Sequence, residues 1–390
     1  MMSRIKPRRP ASRFLCLDDF EPAARRRLPR PLFGYIQGAA ERGASKEDNA
    51  RAYAELRLLP RMLAGVSARS IATRVLGQDV SAPFGIAPMG ISALMAHDGD
   101  RGLARAARDA GIPFILSGSS LTRVEDVLET NPDTWFQIYV PGETDVIVPL
   151  VQRASSAGVR TLVVTVDTAV LANRENNVRA GFSTPLRLTP RLVWDVASRP
   201  RWLAGCFART IATSGMPHFE NSTARRGAPI LSSTVMRDFG AKDALDWSHI
   251  ARIRAEWDGK LVIKGLLHPD DTARAAVEGC DGVILSNHGG RQLDGAVSPL
   301  RVLPENVAAA GEMDVMIDGS IRRGTDVMKA LALGARCAFI GRPFLYAAAV
   351  SGRNGAARAI EIMKDEIFRD AGLMGINDLL ELAPDHLISR

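Results

Sequence analysis

The ten residues SNHGGRQLDG, 286 to 295, place an imidazole and a guanidinium together directly after the apolar run GVIL. An imidazole at such a point can work as a general base near neutral pH. Arg291, three residues beyond His288, offers a planar fork that grips a carboxylate at two points. The glycines between them let a ligand approach the backbone. Were a 2-hydroxy carboxylate bound here, His288 would be placed to take its proton, and Asp167, at the end of TLVVTVD, is the candidate to hold the resulting imidazolium. The bland alternative is a buried histidine in a tight turn.

Further polar residues gather at the ends of other apolar runs: Ser117, Gln137 and Tyr139, Thr165 beside Asp167, Lys264, Ser286 beside His288, and Asp318. Any one of them alone reads as a cap or a satisfied core group. Their recurrence on successive strands is hard to obtain from structural need. DGSIRRG (318 to 324) and IGRP (340 to 343) bring glycines and Arg322 and Arg342 to the places where a phosphate is commonly held by backbone N–H groups and charge-assisted bonds. Lys264 ends an apolar strand, where an ammonium needs an anion. A reduced flavin, negative along its N1/O2 edge, is one such partner; Schiff-base chemistry is the competing use of a buried lysine.

These residues need a scaffold that collects strand ends. Eight short runs, FGIAP, PFILS, WFQIYV, TLVVTVD, LVIK, GVILS, VMID and CAFIG, alternate with segments of helical period such as GDRGLARAARDAG and TDVMKALALGA. Continuous apolar strands alternating with helices indicate a parallel sheet, and eight units indicate an α/β fold of the (β/α)8 TIM-barrel type, whose strand ends face one cavity. A doubly wound sheet is the alternative, but no GxGxxG follows the first run. The expected layout is one domain over 1–390, with 1–82 as an N-terminal helical cap and a long loop insertion, 186–226, after the fourth strand. That insertion carries Trp194, Trp202 and Phe207 among seven arginines. It reads equally as a surface anchor for an anionic membrane or as a lid packed on the barrel.

Composition narrows the classes. With 46% hydrophobic and 24% charged residues the chain can bury a large core, and the formal charge of +7 comes mainly from arginine. No basic stripe studded with aromatics accompanies it, so nucleic acid is not an expected partner. The four cysteines are scattered and form no metal pattern, and no metal is expected. No signal peptide or transmembrane run is read, and the expected location is cytoplasmic, with peripheral contact at the inner face of the cell membrane if the insertion anchors.

SNHGGRQLDG, IKG at 263 to 265, TVDT at 165 to 168, FQIYV at 136 to 140, and DGSIRRG followed by IGRP together resemble the FMN-dependent 2-hydroxy-acid dehydrogenase and oxidase family, from about Phe33 to the C-terminal helices. The resemblance implies FMN as cofactor. It also implies oxidation of a lactate- or mandelate-like L-2-hydroxy acid, with electrons passed to a quinone or cytochrome, and a homotetramer. It makes His288 the base, Asp167 its partner, Arg291 and Arg174 (in NREN) the carboxylate clamps, Tyr35 a substrate contact and Tyr139 the partner of the substrate hydroxyl. Pro88, Met89, Gly90, Ser117, Gln137, Thr165, Lys264, Ser286, Asp318, Gly319, Arg322, Gly341 and Arg342 match its FMN positions. Gly90, where oxidases of the family often carry Ala, favours a dehydrogenase over an oxidase that releases hydrogen peroxide. The intact set of His288, Arg291, Arg174 and Tyr139 disfavours a non-redox flavin sensor. Ser119 suggests room for a substrate side chain, and GMPH and VSPL lean toward the mandelate-type branch.

Overall fold

Successive side chains of a strand point to opposite faces, and here that alternation sets the interior of a barrel. The structure, a computed structural model, describes residues 13–140, 144–232 and 242–389. Eight strands build the central sheet: β1 (Phe84–Ile86), β2 (Ile115–Ser117), β3 (Trp135–Tyr139), β4 (Thr161–Thr165), β5 (Lys260–Leu266), β6 (Gly282–Leu285), β7 (Asp314–Asp318) and β8 (Cys337–Ile340). They pair in parallel from β2 through to β8 and then to β1. A parallel bridge between Ile86 and Phe114 closes the ring. All eight expected strands are present, and the barrel reading holds.

One buried layer inside the ring consists of Ile115, Trp135, Val163, Val262, Ile284, Met316, Cys337 and Phe339. Two residues further along six of these strands stand Ser117, Gln137, Thr165, Lys264, Ser286 and Asp318. The pleat therefore points these six to the same side as the apolar layer below them. Gly85 faces Phe339, and a Cβ there would stand 2.6 Å from the Phe339 ring, so the absent side chain makes room for the phenyl that fills the barrel floor.

The N-terminal cap is helical only in part. Helices Phe20–Arg27, Arg30–Gln37 and Ala44–Glu55 match expectation. After them the chain forms β structure instead. Leu56–Leu58 pairs with Leu387–Ser389, and Thr73–Val75 pairs with Gln78–Val80 in a hairpin turned by Leu76 and Gly77, both with positive φ. This two-residue turn with left-handed residues matches strand twist. Val75, Leu76 and Val80 pack with the interior apolar layer. The earliest part of the expected cap, residues 1–12, lies outside the described residues.

The insertion also departs from the expected loop. Thr189 accepts the Leu192 N–H at 3.1 Å and starts the helix Pro190–Ala197; a second helical run, with a π-helical stretch at Leu203–Ala208, continues from Pro200 to Ser214. Proline at the first position of each helix fits a site that has no N–H to satisfy. Of the three aromatics one is buried and one half-buried. Trp202 is 3% exposed and donates its indole N–H to the Leu94 carbonyl at 2.7 Å, and Phe207 stacks on it. Trp194, in contrast, is 74% exposed. The return segment stays irregular, as its Gly, Ser and Asn content requires, and is pinned by Asn221, which accepts the Val124 N–H and donates to the Thr122 carbonyl.

These placements make opposite demands on two tryptophans eight residues apart. Trp202→Ala should lower unfolding free energy in urea by about 3–5 kcal/mol, and Trp194→Ala should stay within about 0.5 kcal/mol of the parent. Equal effects of the two would show that the insertion does not dock through Trp202.

Candidate active site

A cavity of about 1100 Å³ opens at the C-terminal ends of the strands, the end at which barrels of this type place their chemistry. Tyr35, Pro88, Met89, Gly90, Tyr139, Arg174, His288, Arg291, Asp318, Gly319, Arg322, Gly341 and Arg342 all line it. Ser117, Gln137, Thr165, Lys264 and Ser286 are buried on the strand ends. Asp167 follows β4 and reaches His288. The thirty-six lining residues also include Ser119 and the segment Thr168–Asn173, which the sequence reading did not assign to catalysis.

His288 is held from two sides. Its Nδ1 lies 3.0 and 3.2 Å from the Asp167 oxygens, and its backbone N–H donates to Ser286 Oγ at 2.9 Å. With the Nδ1 proton given to the carboxylate, Nε2 is the nitrogen left to accept a proton. Burial pushes the imidazole below its ordinary value, and Asp167 opposes that shift. The ring is therefore neutral at neutral pH and available as a base. Burial by itself would raise Asp167, but His288, Lys264 and Arg174 hold the carboxyl below its usual range. Gln292, missed as a functional residue although it sits inside the opening motif, donates to the Asp167 carbonyl at 2.8 Å and accepts from Arg174.

Two guanidiniums of the cavity, those of Arg174 and Arg291, are adjacent. Arg174 donates to the Arg291 carbonyl at 2.9 Å, and Arg291 donates to the carbonyls of Tyr35 and Gly38 at 2.7 and 3.1 Å. Burial first, and then the Arg174 charge, pushes Arg291 down to about 9. A guanidinium shifted by burial with a second, half-buried one beside it forms a place for an anion. Tyr139 and Tyr35 flank it, the latter with its ring 5.0 Å below the Arg291 guanidinium carbon.

Beside them the glycines and arginines after β7 and β8 form a second place for an anion. Arg342 donates to the Ile36, Gly38 and Gly289 carbonyls, and burial, then Arg322, pushes it down to about 10. Arg322 approaches Asp18 at 3.5 Å. Gly319, with φ of +109°, keeps a backbone that a side chain would strain. Lys264 departs from expectation in one respect: its ammonium already meets Asp318 at 2.8 Å and Ser286 at 2.7 Å, so a protein carboxylate supplies the anion it needs.

Three buried polar atoms lack a protein partner here: Gln137 Nε2, Thr165 Oγ1 and Asp318 Oδ1. Such atoms are rare in folded proteins unless a ligand or water completes them. They sit on β3, β4 and β7, which is where a polar, hydroxyl-rich ligand with a phosphate at the Arg322 and Arg342 end would be satisfied. The residues present thus fit a phosphorylated, aromatic cofactor such as FMN. Among the described residues no His, Cys, Asp and Glu cluster suits a metal ion.

Comparison with known proteins agrees with this geometry. Residues 24–389 match the model of the family described as FMN-dependent dehydrogenase. The (S)-mandelate dehydrogenase of Pseudomonas putida is 36% identical over 372 residues, covering 95% of this chain and 93% of the relative. An L-lactate dehydrogenase of Caulobacter vibrioides is 38% identical over 381 residues, covering 95% and 97%. Among solved structures, one described as the monotopic membrane protein (S)-mandelate dehydrogenase superposes with a TM-score of 0.87 at 35% identity, covering 97% of this chain and 100% of that one.

The histidine geometry has a direct consequence. In protein labelled at histidine, the His288 imidazole should titrate below 6.5 by NMR, and Asp167→Asn should move it lower still, because the carboxylate is what opposes the effect of burial. A titration above 6.5, or an upward move in the variant, would contradict the arrangement.

Proposed function

The chain belongs to the FMN-dependent dehydrogenase family, and from that premise we propose that it oxidises an L-2-hydroxy acid to the 2-oxo acid and passes the electrons to a quinone or cytochrome. One observation carries the reading: a neutral, carboxylate-backed imidazole opens into the same cavity as a pair of adjacent guanidiniums. A base beside a carboxylate clamp suits a substrate bearing its reacting carbon next to the carboxylate.

FMN is the cofactor. Gln137, Thr165, Lys264, Ser286 and Asp318 would hold its polar face and ribityl chain, Pro88, Met89 and Gly90 its ring, and Arg322 and Arg342 with Gly319 and Gly341 its phosphate. When bound, the flavin accepts the two electrons that the substrate carbon gives up. Arg291 and Arg174 orient the carboxylate, and Tyr139 and Tyr35 contact the substrate beside them. His288 Nε2 takes a proton, and Asp167 stabilises the imidazolium so formed. The carbinol becomes a carbonyl by losing two electrons and two protons; His288 would hold one proton, and the other would leave with the electrons to the bound flavin. Ser119 and the exposed Val170 and Leu171, which line the mouth, leave space for an aromatic or branched side chain and favour mandelate-like substrates.

Anaerobic bleaching of the flavin by a panel of L-2-hydroxy acids tests the activity. Bleaching by mandelate or lactate is expected, with FMN released on denaturation; no bleaching by any member, or release of FAD, would overturn the reading, and hydrogen peroxide formed in air at the turnover rate would place the protein with the oxidases. His288→Gln should retain FMN and slow bleaching at least ~10²–10⁴-fold. A loss under tenfold would remove His288 from the role of base.

No described helix is long and apolar enough to cross a membrane. The exposed side chains Leu188, Val193 and Trp194 nevertheless lie among Arg187 and Arg191, and the latter reaches the carbonyl of Arg179 beside exposed Val178 on the cavity rim. Apolar side chains ringed by arginine suit a peripheral contact with an anionic lipid surface, where a quinone would be at hand. Deleting the insertion would also remove Trp202 and Asn221, which hold the barrel, so the test is substitution at the surface. Leu188→Asp, Val193→Asp and Trp194→Asp combined should abolish co-sedimentation with phosphatidylglycerol vesicles at low salt while anaerobic bleaching stays unchanged. Failure of the parent protein to co-sediment would end the membrane reading.

A further inference from the structure

His288, Gly289 and Gly290 are three consecutive residues with positive φ, +57°, +64° and +73°. For the two glycines this costs little. For histidine the left-handed region is sparsely populated, and it persists only where the surroundings impose it. The residue that precedes this run, Asn287, is 4% exposed, and its amide is fully engaged. Its oxygen accepts from the Gly290 N–H at 3.0 Å and from Asn49 Nδ2 at 2.7 Å; its nitrogen donates to the Val297 carbonyl at 3.1 Å and to Asn49 Oδ1 at 2.7 Å. Two acceptor and two donor places are all that an amide has. Half of them are filled by one side chain, Asn49, wholly buried and 238 residues away.

We propose that Asn49 is a positioning residue for the catalytic base: its reciprocal amide pair with Asn287 holds the backbone that aims His288 into the cavity. This rests on the proposed role of His288. The helix Ala44–Glu55 is well fixed to do this. Asp294 accepts the N–H groups of Arg42, Gly43 and Ser45, Asp48 accepts from Ser298, and Gly290 lies so close to Lys46 that a Cβ would stand 2.5 Å from its nitrogen. Asn49 also borders Gly319, at 3.3 Å from the position its Cβ would take. One side chain of the N-terminal helix thus stands against both the loop of the base and a loop of the phosphate end.

Without Asn49, a donor and an acceptor of Asn287 are left buried and unpaired. The amide then turns to find other partners and gives up its bonds to Gly290 and Val297. Displacement of a reacting group by about 1 Å costs on the order of 10²-fold in rate. The test is Asn49→Ala in the FMN-loaded protein, with Asn49→Asp at pH 9 as the second variant should the first not fold, since an ionised carboxylate of the same size opposes an oxygen to the Asn287 oxygen. Flavin bleaching should slow about 100-fold at saturating substrate, with FMN content retained and the substrate concentration at half-saturation changed less than threefold. The same substitution in a His288→Gln background should slow the residual rate less than threefold, because the group it aims is already gone; this is the result a general loss of structure would not give. Hydrogen exchange over residues 286–292, measured without substrate, should rise at least tenfold. A bleaching rate within threefold of the parent, an equal loss in both backgrounds, or unchanged exchange would each overturn the proposal. Failure of the parent protein to be bleached by any 2-hydroxy acid would instead count against the activity, and the exchange measurement would still decide whether Asn49 holds the loop.

Discussion

The carbonyl oxygen of Gly38 accepts from both Arg291 and Arg342. It stands just past the helix Arg30–Gln37, whose own last carbonyls, Tyr35 and Ile36, take one further bond from each arginine. A helix C-terminus carries unsatisfied carbonyls and the negative end of the helix dipole. Here it solvates the two guanidiniums of the cavity that are shifted most by burial. Burying cations without counter-ions is costly, and this turn makes it tolerable without neutralising them. The charge that remains is the basis of the site, a cationic wall on which a phosphate and a carboxylate would both find partners. Asp318 and Asp167 are committed elsewhere, to Lys264 and to His288. The cavity therefore keeps cationic groups open to anions while two carboxylates near them are held by Lys264 and His288.

The same division explains what could be read from the sequence. The eight strands were legible because each is a short continuous apolar run, and the polar residues of six of them lie on the interior face through the period of the pleat. His288, Arg291, Asp318, Arg322 and Arg342 were legible because glycine-rich turns with fixed spacing carry them. Asn49 was not legible by any such means. It sits in the helical stretch ASKEDNARAYAE as one polar residue among many, and its partner is fixed only when barrel and cap close on each other. Gln292 lay inside the quoted motif but passed as a spacer, since its work is a pair of bonds to Asp167 and Arg174 in the segment after β4. The insertion misled in a different way. Trp194 and Trp202 share a composition and a neighbourhood of arginines, and only the packing of Trp202 against Leu94 separates a surface residue from a core one.

Seen from the cavity, the chain outside the barrel divides its tasks by stability. The N-terminal helices are fixed by polar contacts, the buried pair of Asn49 with Asn287 among them, and they support His288, its loop, Arg291 and Arg342. The segment after β4 is attached at chosen points only. Trp202 grips the stretch beside Ser92–Met95, and Asn221 grips the turn after β2 that carries Ser119. Ahead of both points the helix Pro190–Ala197 presents Val193 and Trp194 to solvent. Regions that bind surfaces or admit ligands are drawn from the less stable parts of a fold. Because the exposed helix also packs on Arg30–Gln37, and Arg199 just past it donates to the Leu28 carbonyl, a contact made at Val193 and Trp194 bears on the helix whose last carbonyls hold Arg291 and Arg342.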